Sequence, residues 1–358
     1  MSDYILCGYC GFRGLEIGSS VCSLCHNNPK TKKSKNTKVY LDKLAVPDET
    51  HLEEEKVELY EKYGVQSNPY KLPKHPSVLM ESALLSSIPL PEHTYSLHPN
   101  GVCKSKGVSN IQGETLSLIL STFQKMNSHE RAGFFLGDGT GCGKGRIIAS
   151  LIQELMLSYN QNKAVWLSVS QDLENDSKRD LDDIHCNMHT ANVLDKHYPE
   201  SGVIFSTYYS IVKPKRYCDL CEWLGDDFQG LIALDECHKA RQCIGTMSKI
   251  SQKIIELQSR YPLARVIYVS ATGCSQVEHM GYMTRLGLWG HCSPYEKFTE
   301  FVEMTNRGGE FANEMVAMHL KKKGCYIARS LSYKRVTTGV SMVDSSEFER
   351  TYSQAIQF

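Results

Sequence analysis

Two short stretches of this sequence carry residue types at a spacing that does chemistry. Residues 137–145 read Gly-Asp-Gly-Thr-Gly-Cys-Gly-Lys-Gly. Alternate glycines let a backbone curl until several N–H groups point at one anion, and a helix starting there adds the partial positive charge of its N-terminus. Gly139, Thr140, Gly141, Cys142, Gly143, Lys144 and Gly145 are therefore candidate ligands of a nucleoside triphosphate, with Lys144 reaching the outer phosphates. The second stretch is Leu-Ile-Ala-Leu followed by Asp235 and Glu236. Asp235 is suited to hold Mg²⁺, and Glu236 to accept a proton from an attacking water. The two stretches are the halves of one site, and ATP is its expected ligand. Two positions depart from the usual phosphate loop. Asp138 stands where a glycine is common, and Gly145 where a Ser or Thr hydroxyl ordinarily ligates Mg²⁺. Cys142 lies inside the positive field of the loop, a setting that favours thiolate.

Such a site needs strands to aim its loops. Short apolar, β-branched runs recur at 133–136, 164–169, 202–206, 230–234, 265–269 and 325–328. Their length predicts buried parallel strands. Between them lie helical patterns, clearest over 144–159, where Ile147, Ile148, Leu151, Ile152, Leu155 and Met156 form one stripe. The alternation predicts an α/β fold, a parallel sheet with helices on both faces. In such sheets ligands sit at the carboxyl ends of the strands, which brings Asp235 near the loop.

The remaining composition bounds the reading. The chain has 358 residues, room for about two domains, and its net charge is zero, which argues against a protein that coats nucleic acid with its whole surface. It contains no run of about 18 apolar residues and no basic, apolar leader at its start, so an intracellular protein without a membrane partner is expected. Its 14 cysteines are then read as reduced. Cys7, Cys10, Cys22 and Cys25 form two Cys-x-x-Cys hooks, the spacing of a tetrahedral Zn²⁺ site. We expect a small zinc module over 1–28 and a lysine-rich, proline-dotted segment over 29–107. A nucleotide-binding lobe over 108–340 and a short tail over 341–358 complete the chain. Residues 49–63 are charged and compatible with a helix. The lysine-rich tether serves either as a solvated linker or in nuclear import or nucleic-acid contact. Basic groups at 178–179, 213–216 and 321–323 are candidate phosphate contacts.

The motifs fall in an order that resembles the superfamily-two helicases. Asp-Glu-Cys-His at 235–238 is a variant of their DEAD/DEAH box. Ser270 and Thr272 resemble the motif that couples hydrolysis to nucleic acid. Gln112 resembles the glutamine that reads adenine. Ser168, Ser170 and Thr207 stand where that superfamily contacts a nucleic-acid backbone. A closer resemblance is to the strawberry notch family, at residues 137–146, 166–173, 235–240, 270–273, 285–290, 316–318 and 326–329. It implies a RecA-like P-loop fold and a DNA- or RNA-stimulated ATPase without sequence specificity, linked to chromatin or transcription and, in a eukaryote, nuclear. It implies that His238 bridges the hydrolysis site to Ser270 and Thr272, and that glycine at 145 is a family trait. Residues 18–22 resemble a lesion-simulating-disease type zinc finger.

A helicase of this type has a second RecA-like lobe that supplies an arginine to the γ-phosphate, worth about 10³–10⁵ in rate. Too few residues follow Thr272 to hold it, so the expected activity of this polypeptide alone is slow, with a second lobe supplied in trans or missing because the gene is truncated or split. The competing reading is a zinc-finger adaptor that senses nucleotide without hydrolysing it and binds nucleic acid or protein.

Overall fold

The computed structural model describes residues 59–92, 94–240, 247–271, 277–290 and 293–332, with two strands near the N-terminus. The chain divides into two compact units, Met1–Val57 and Glu58–Phe358. In the first, β1 (Ile5–Leu6) pairs antiparallel with β2 (Arg13–Leu15). Cys7, Cys10, Cys22 and Cys25 lie outside the described residues, as does Thr272.

The second unit opens with β3 (Tyr60–Lys62) and β4 (Leu79–Ser82), then α1 (Ala83–Ser86) and α2 (Val102–Ser105). The helix-compatible reading of 49–63 therefore gives way at residues 60–62, which pair with β4 instead. The next helix, α3 (Asn110–Thr122), is buried on almost every side. Its polar residues are consumed internally, as where Thr115 and Thr122 bond carbonyls one turn back. A hairpin, β5 (Met126–Asn127) with β6 (Glu130–Arg131), leads into β7 (Phe134–Leu136) and α4 (Lys144–Tyr159). There follow β8 (Lys163–Ser168), α5 (Leu173–Asp183), β9 (Thr190–Asn192), β10 (Gly202–Thr207), α6 (Tyr208–Ile211), α7 (Pro214–Leu224) and β11 (Leu231–Leu234). The last elements are α8 (Lys249–Arg260), β12 (Arg265–Val269), α9 (Phe298–Arg307), α10 (Gly309–Lys323), β13 (Tyr326–Ile327) and β14 (Ser330–Leu331).

Seven strands form one sheet in the order β13-β7-β12-β11-β8-β10-β9, every pair parallel. Six of them lie where the apolar runs predicted. The strand alternation divides the core in two. Val165, Leu167, Ile232, Leu234, Val266 and Tyr268 face one side, with α7, α8 and α9. Ala164, Trp166, Leu231, Ala233, Ile267 and Val269 face the other, with α3, α4 and the proline-dotted segment. Burial on both faces is why these strands read as continuous apolar runs rather than alternating ones. The proline-dotted segment is part of this core, because Tyr63, Leu72, Leu79, Leu90, Tyr95 and Leu97 are all buried in it. Among the described residues no helix is long and apolar enough to cross a membrane.

One of the sequence blocks that carry the family resemblance, 285–290, has an architectural residue. Arg285 is wholly buried, and its guanidinium donates to the carbonyls of Arg131, Pro262, Gln258 and Tyr261. It ties the hairpin, the end of α8 and the loop after β12 together beneath β7.

Candidate functional site

The phosphate loop follows β7 and runs into α4. Its root is fastened to the chain end of the lobe. Gly137 and Gly139 donate their amides to the carbonyls of Ile327 and Arg329, at 2.7 and 2.6 Å. Asp138 is completely buried. Its Oδ1 accepts from the Arg329 backbone amide and Nε at 3.0 Å each, and its Oδ2 accepts from Nη2 at 2.6 Å. The unusual aspartate is therefore an anchor that holds the loop to the segment between β13 and β14. A glycine there would leave the Arg329 charge unpaired. Arg329 also donates to Thr115 Oγ1 at 2.8 Å and lies over the Tyr63 ring at 4.8 Å. Tyr63 in turn donates to Glu114 at 2.7 Å. The proline-dotted segment and α3 thus converge on the same anchor.

The tip of the loop is free to meet an anion. Gly141 and Gly143 take positive φ, +84° and +79°, which only glycine adopts without strain. The amides of Thr140, Gly141 and Gly143 have no protein acceptor among the described residues. Lys144 opens α4 and donates Nζ to the Gly139 carbonyl at 3.2 Å, so it lies folded along the loop. Cys142 is buried beneath the loop, and burial pushes its thiol up to about 11. It is a core thiol and not the reactive thiolate that its position in the sequence suggests. Gln112 is the side chain the loop closes over. Its Oε1 accepts from the Ser109 amide at 2.8 Å, completing a capping box on α3. Its Nε2 faces the Cys142 and Gly143 carbonyls at 3.4 and 3.2 Å. In this conformation Gln112 braces the loop from behind.

The carboxylates sit at the end of β11. Asp235 donates its amide to the Leu167 carbonyl at 2.8 Å, extending the β8 ladder. Its Oδ2 accepts from Ser168 Oγ at 3.0 Å. Ser168 is fully buried, so its hydroxyl serves Asp235 and does not meet a strand lying on the surface. Burial raises Asp235 to about 6, while the Ser168 hydrogen bond opposes the rise. Glu236 takes φ +47°, a left-handed backbone that costs an L-residue about 1–2 kcal/mol. Two buried tyrosines that the sequence did not single out hold this bend. Tyr208 donates to the Asp235 carbonyl and Tyr282 to the Cys237 carbonyl, both at 2.7 Å. Burial raises both phenols well above their ordinary value, so they remain donors at neutral pH. The bend turns Glu236 toward His238, whose Nδ1 lies 3.3 Å from Glu236 Oε2 and 3.2 Å from Ser270 Oγ. One imidazole thereby connects the carboxylate pair at β11 to the end of β12.

The donor set fits Mg²⁺. Among the described residues no three His, Cys, Asp or Glu side chains converge on a point, so no all-protein cage exists. Mg²⁺ would be held instead through one or two carboxylates together with substrate phosphates and water, and Asp235 is a carboxylate placed to do so.

Of the other expected contacts, Ser170 hydrogen-bonds Asp172 at 3.1 Å, and Thr207 caps α6 by accepting from Ser210 at 3.1 Å. Lys178 and Arg179 are paired with Glu174 and Asp176. Lys321 is buried against Glu81 at 2.7 Å, and Lys323 donates to the Leu286 and Gly287 carbonyls. These two lysines of the 321–323 group therefore serve the fold and are not candidates for phosphate contact.

Two outcomes are expected. Replacing Asp138 by Asn leaves a buried guanidinium without its counter-charge and costs about 3–5 kcal/mol in urea unfolding. An undiminished midpoint would mean that the pair does not anchor the loop. Because Asp235 must ionise to hold a cation, the Mg²⁺-dependent gain in ATP affinity falls below pH 6, by up to about tenfold per unit. Titration of a fluorescent ATP analogue from pH 7.5 to 5 checks this, and a flat profile excludes Asp235 as the ligand.

Comparison with known proteins agrees with this geometry. Residues 74–354 match the family model described as P-loop containing NTP hydrolase pore-1. Protein strawberry notch of Drosophila melanogaster is 38% identical over 340 residues, 85% of this chain and 20% of that protein. Protein FORGETTER 1 of Arabidopsis thaliana is 40% identical over 284 residues, 73% of this chain and 22% of that protein. Protein strawberry notch homolog 2 of Homo sapiens is 38% identical over 298 residues, 79% and 21%. The chain spans about a fifth of the length of these relatives. The loop, the carboxylates and a match over most of its length say the same thing: this chain belongs to the P-loop containing NTP hydrolase pore-1 family.

Proposed function

We propose that this lobe hydrolyses ATP in response to nucleic acid, as one part of a strawberry notch-type ATPase. The observation that carries the reading is the chain Glu236–His238–Ser270, which starts beside Asp235. Glu236 accepts the proton of the attacking water, and Lys144 and the loop amides hold the phosphates. Mg²⁺ bound through Asp235 would neutralise the charge that develops on the phosphates. His238 and Ser270, with Thr272, relay the state of the site to the carboxyl end of the sheet, where nucleic acid lies.

The exposed end of β10 supports that location. Thr207 is followed by Tyr209, which is 73% exposed, and then by exposed Lys213 and Lys215. A free aromatic face and cations on one edge suit an unpaired strand, bound by stacking and phosphate contact without sequence preference. The arginines flanking the loop are both committed, Arg146 to Asp183 and Arg329 to Asp138. Neither of these two is therefore free to act on the γ-phosphate, and the arginine that does so is assigned to a second lobe, without which turnover is slow. On the family resemblance alone we extend the proposal to chromatin or transcription in the nucleus, and on the spacing of the two Cys-x-x-Cys hooks to Zn²⁺ on Cys7, Cys10, Cys22 and Cys25.

Phosphate release with and without single-stranded DNA or RNA tests the reading. The expected turnover is below about 1 s⁻¹ and rises with nucleic acid. Lys144→Ala loses ATP binding, Glu236→Gln keeps binding but traps ATP, and Tyr209→Ala weakens the stimulation. Tight binding with no phosphate release from the unaltered chain, and no change on Glu236→Gln, would favour the nucleotide-sensing adaptor. Metal analysis of protein purified without chelator should find one zinc per chain, and less than about half an equivalent removes zinc from the proposal.

A further inference from the structure

Gly145 removes the hydroxyl with which phosphate loops ordinarily reach Mg²⁺. The space that a side chain would fill at 145 is occupied. A Cβ built on Gly145 falls inside 3.0 Å of Asp180 Oδ2 and lies 3.1 Å from Asp180 Cγ. Asp180 lies on α5, the helix that packs along α4. Its neighbours on α5 are used in ion pairs, Asp176 with Arg179 and Asp183 with Arg146. Asp180 is half-buried and forms no hydrogen bond or ion pair with the described residues. Burial accordingly raises its carboxyl above the ordinary aspartate value. The Arg179 and Arg146 charges ease this only in part. A half-buried carboxylate without a hydrogen bond, pressed against the first turn of a phosphate-binding helix, is costly unless something bound there repays it.

We propose that Asp180 supplies the oxygen that Gly145 lacks, facing the Mg²⁺ of bound MgATP through water. The inference rests on the nucleotide-site reading above. The chemistry is that of a hard cation taking an oxygen donor, and α5 brings that oxygen to the loop in place of the loop's own side chain. The exchange has a consequence that a hydroxyl would not have. A carboxylate near the phosphates repels metal-free ATP, so affinity becomes strictly dependent on the cation.

Equilibrium binding of a fluorescent ATP analogue, with Mg²⁺ and with chelator, reads this without turnover. The unaltered lobe should bind at least about tenfold more weakly in chelator. Asp180→Asn, close in shape, should weaken the Mg²⁺ complex several-fold and tighten metal-free binding, so that the two affinities converge. Asp183→Asn, one turn further along α5, should leave their ratio unchanged. Gly145→Ser alone should fail through its clash with Asp180, whereas Gly145→Ser with Asp180→Ala should restore Mg²⁺ dependence. If Asp180→Asn leaves the ratio as it was, or shifts both affinities equally, Asp180 is packing only and the inference falls. If the unaltered chain binds no nucleotide in Mg²⁺, both the inference and the nucleotide reading fall.

Discussion

The site depends on one buried ion pair. Asp138 and Arg329 are almost wholly withdrawn from water and meet through two guanidinium nitrogens and a backbone amide. Taking two charges out of water is expensive, and their attraction offsets the cost only when geometry is good and the remaining donors are satisfied. Here Thr115 accepts one donor and the Tyr63 face covers the cation, while Nη1 finds no protein acceptor. The pair is thus better explained by what it specifies than by stability. It sets the height of the phosphate loop relative to the end of the sheet. Because β14, just beyond Arg329, pairs with β4, the loop has its native form only when chain segments from opposite ends of the lobe have met.

The carboxylate side is built by a different device. Neutral groups hold the backbone of the bend at Glu236. Hydrogen bonds from two buried phenols to backbone carbonyls hold it, one from the start of α6 and one from the loop after β12. A left-handed glutamate persists only where its surroundings over-determine it, and such residues gather at functional sites. Without the bend the side chain of Glu236 would continue the strand alternation. With it, Asp235 stays beside Ser168 while Glu236 turns to His238.

Much of the fold was legible because parallel strands buried on both faces announce themselves as apolar runs, and because α4 carries an unbroken stripe. Edge strand β9 was not, since Thr190–Asn192 is short and polar and acquires its state from pairing with β10. Helix α3 escaped as well. It is buried all round, so its pattern has no amphipathic period to read. In the site, residue types and order identified the loop and the carboxylates. They could not identify Arg329, Tyr208, Tyr282 or Asp180, whose roles exist only through contacts with distant residues. Ser168 shows the converse. Its place among the motifs suggested a surface contact, and its burial at the end of a central strand gives it to Asp235.

The two departures from the ordinary phosphate loop are therefore not equivalent. At 138 a charge has been added, and the fold answers with an opposite charge from the residues just after β13. At 145 a polar group has been removed, and the fold answers with a carboxylate from α5. In the first case the partner lies behind the loop, in the dry core, and its effect is on shape. In the second the partner is half-exposed beside the first turn of α4, and its effect falls on whatever the loop binds. A loop read only along the chain shows two defects. Read with its neighbours in space, it shows a rigid base and a cation-facing rim, and the two are separable because one lives in low dielectric and the other at the water boundary.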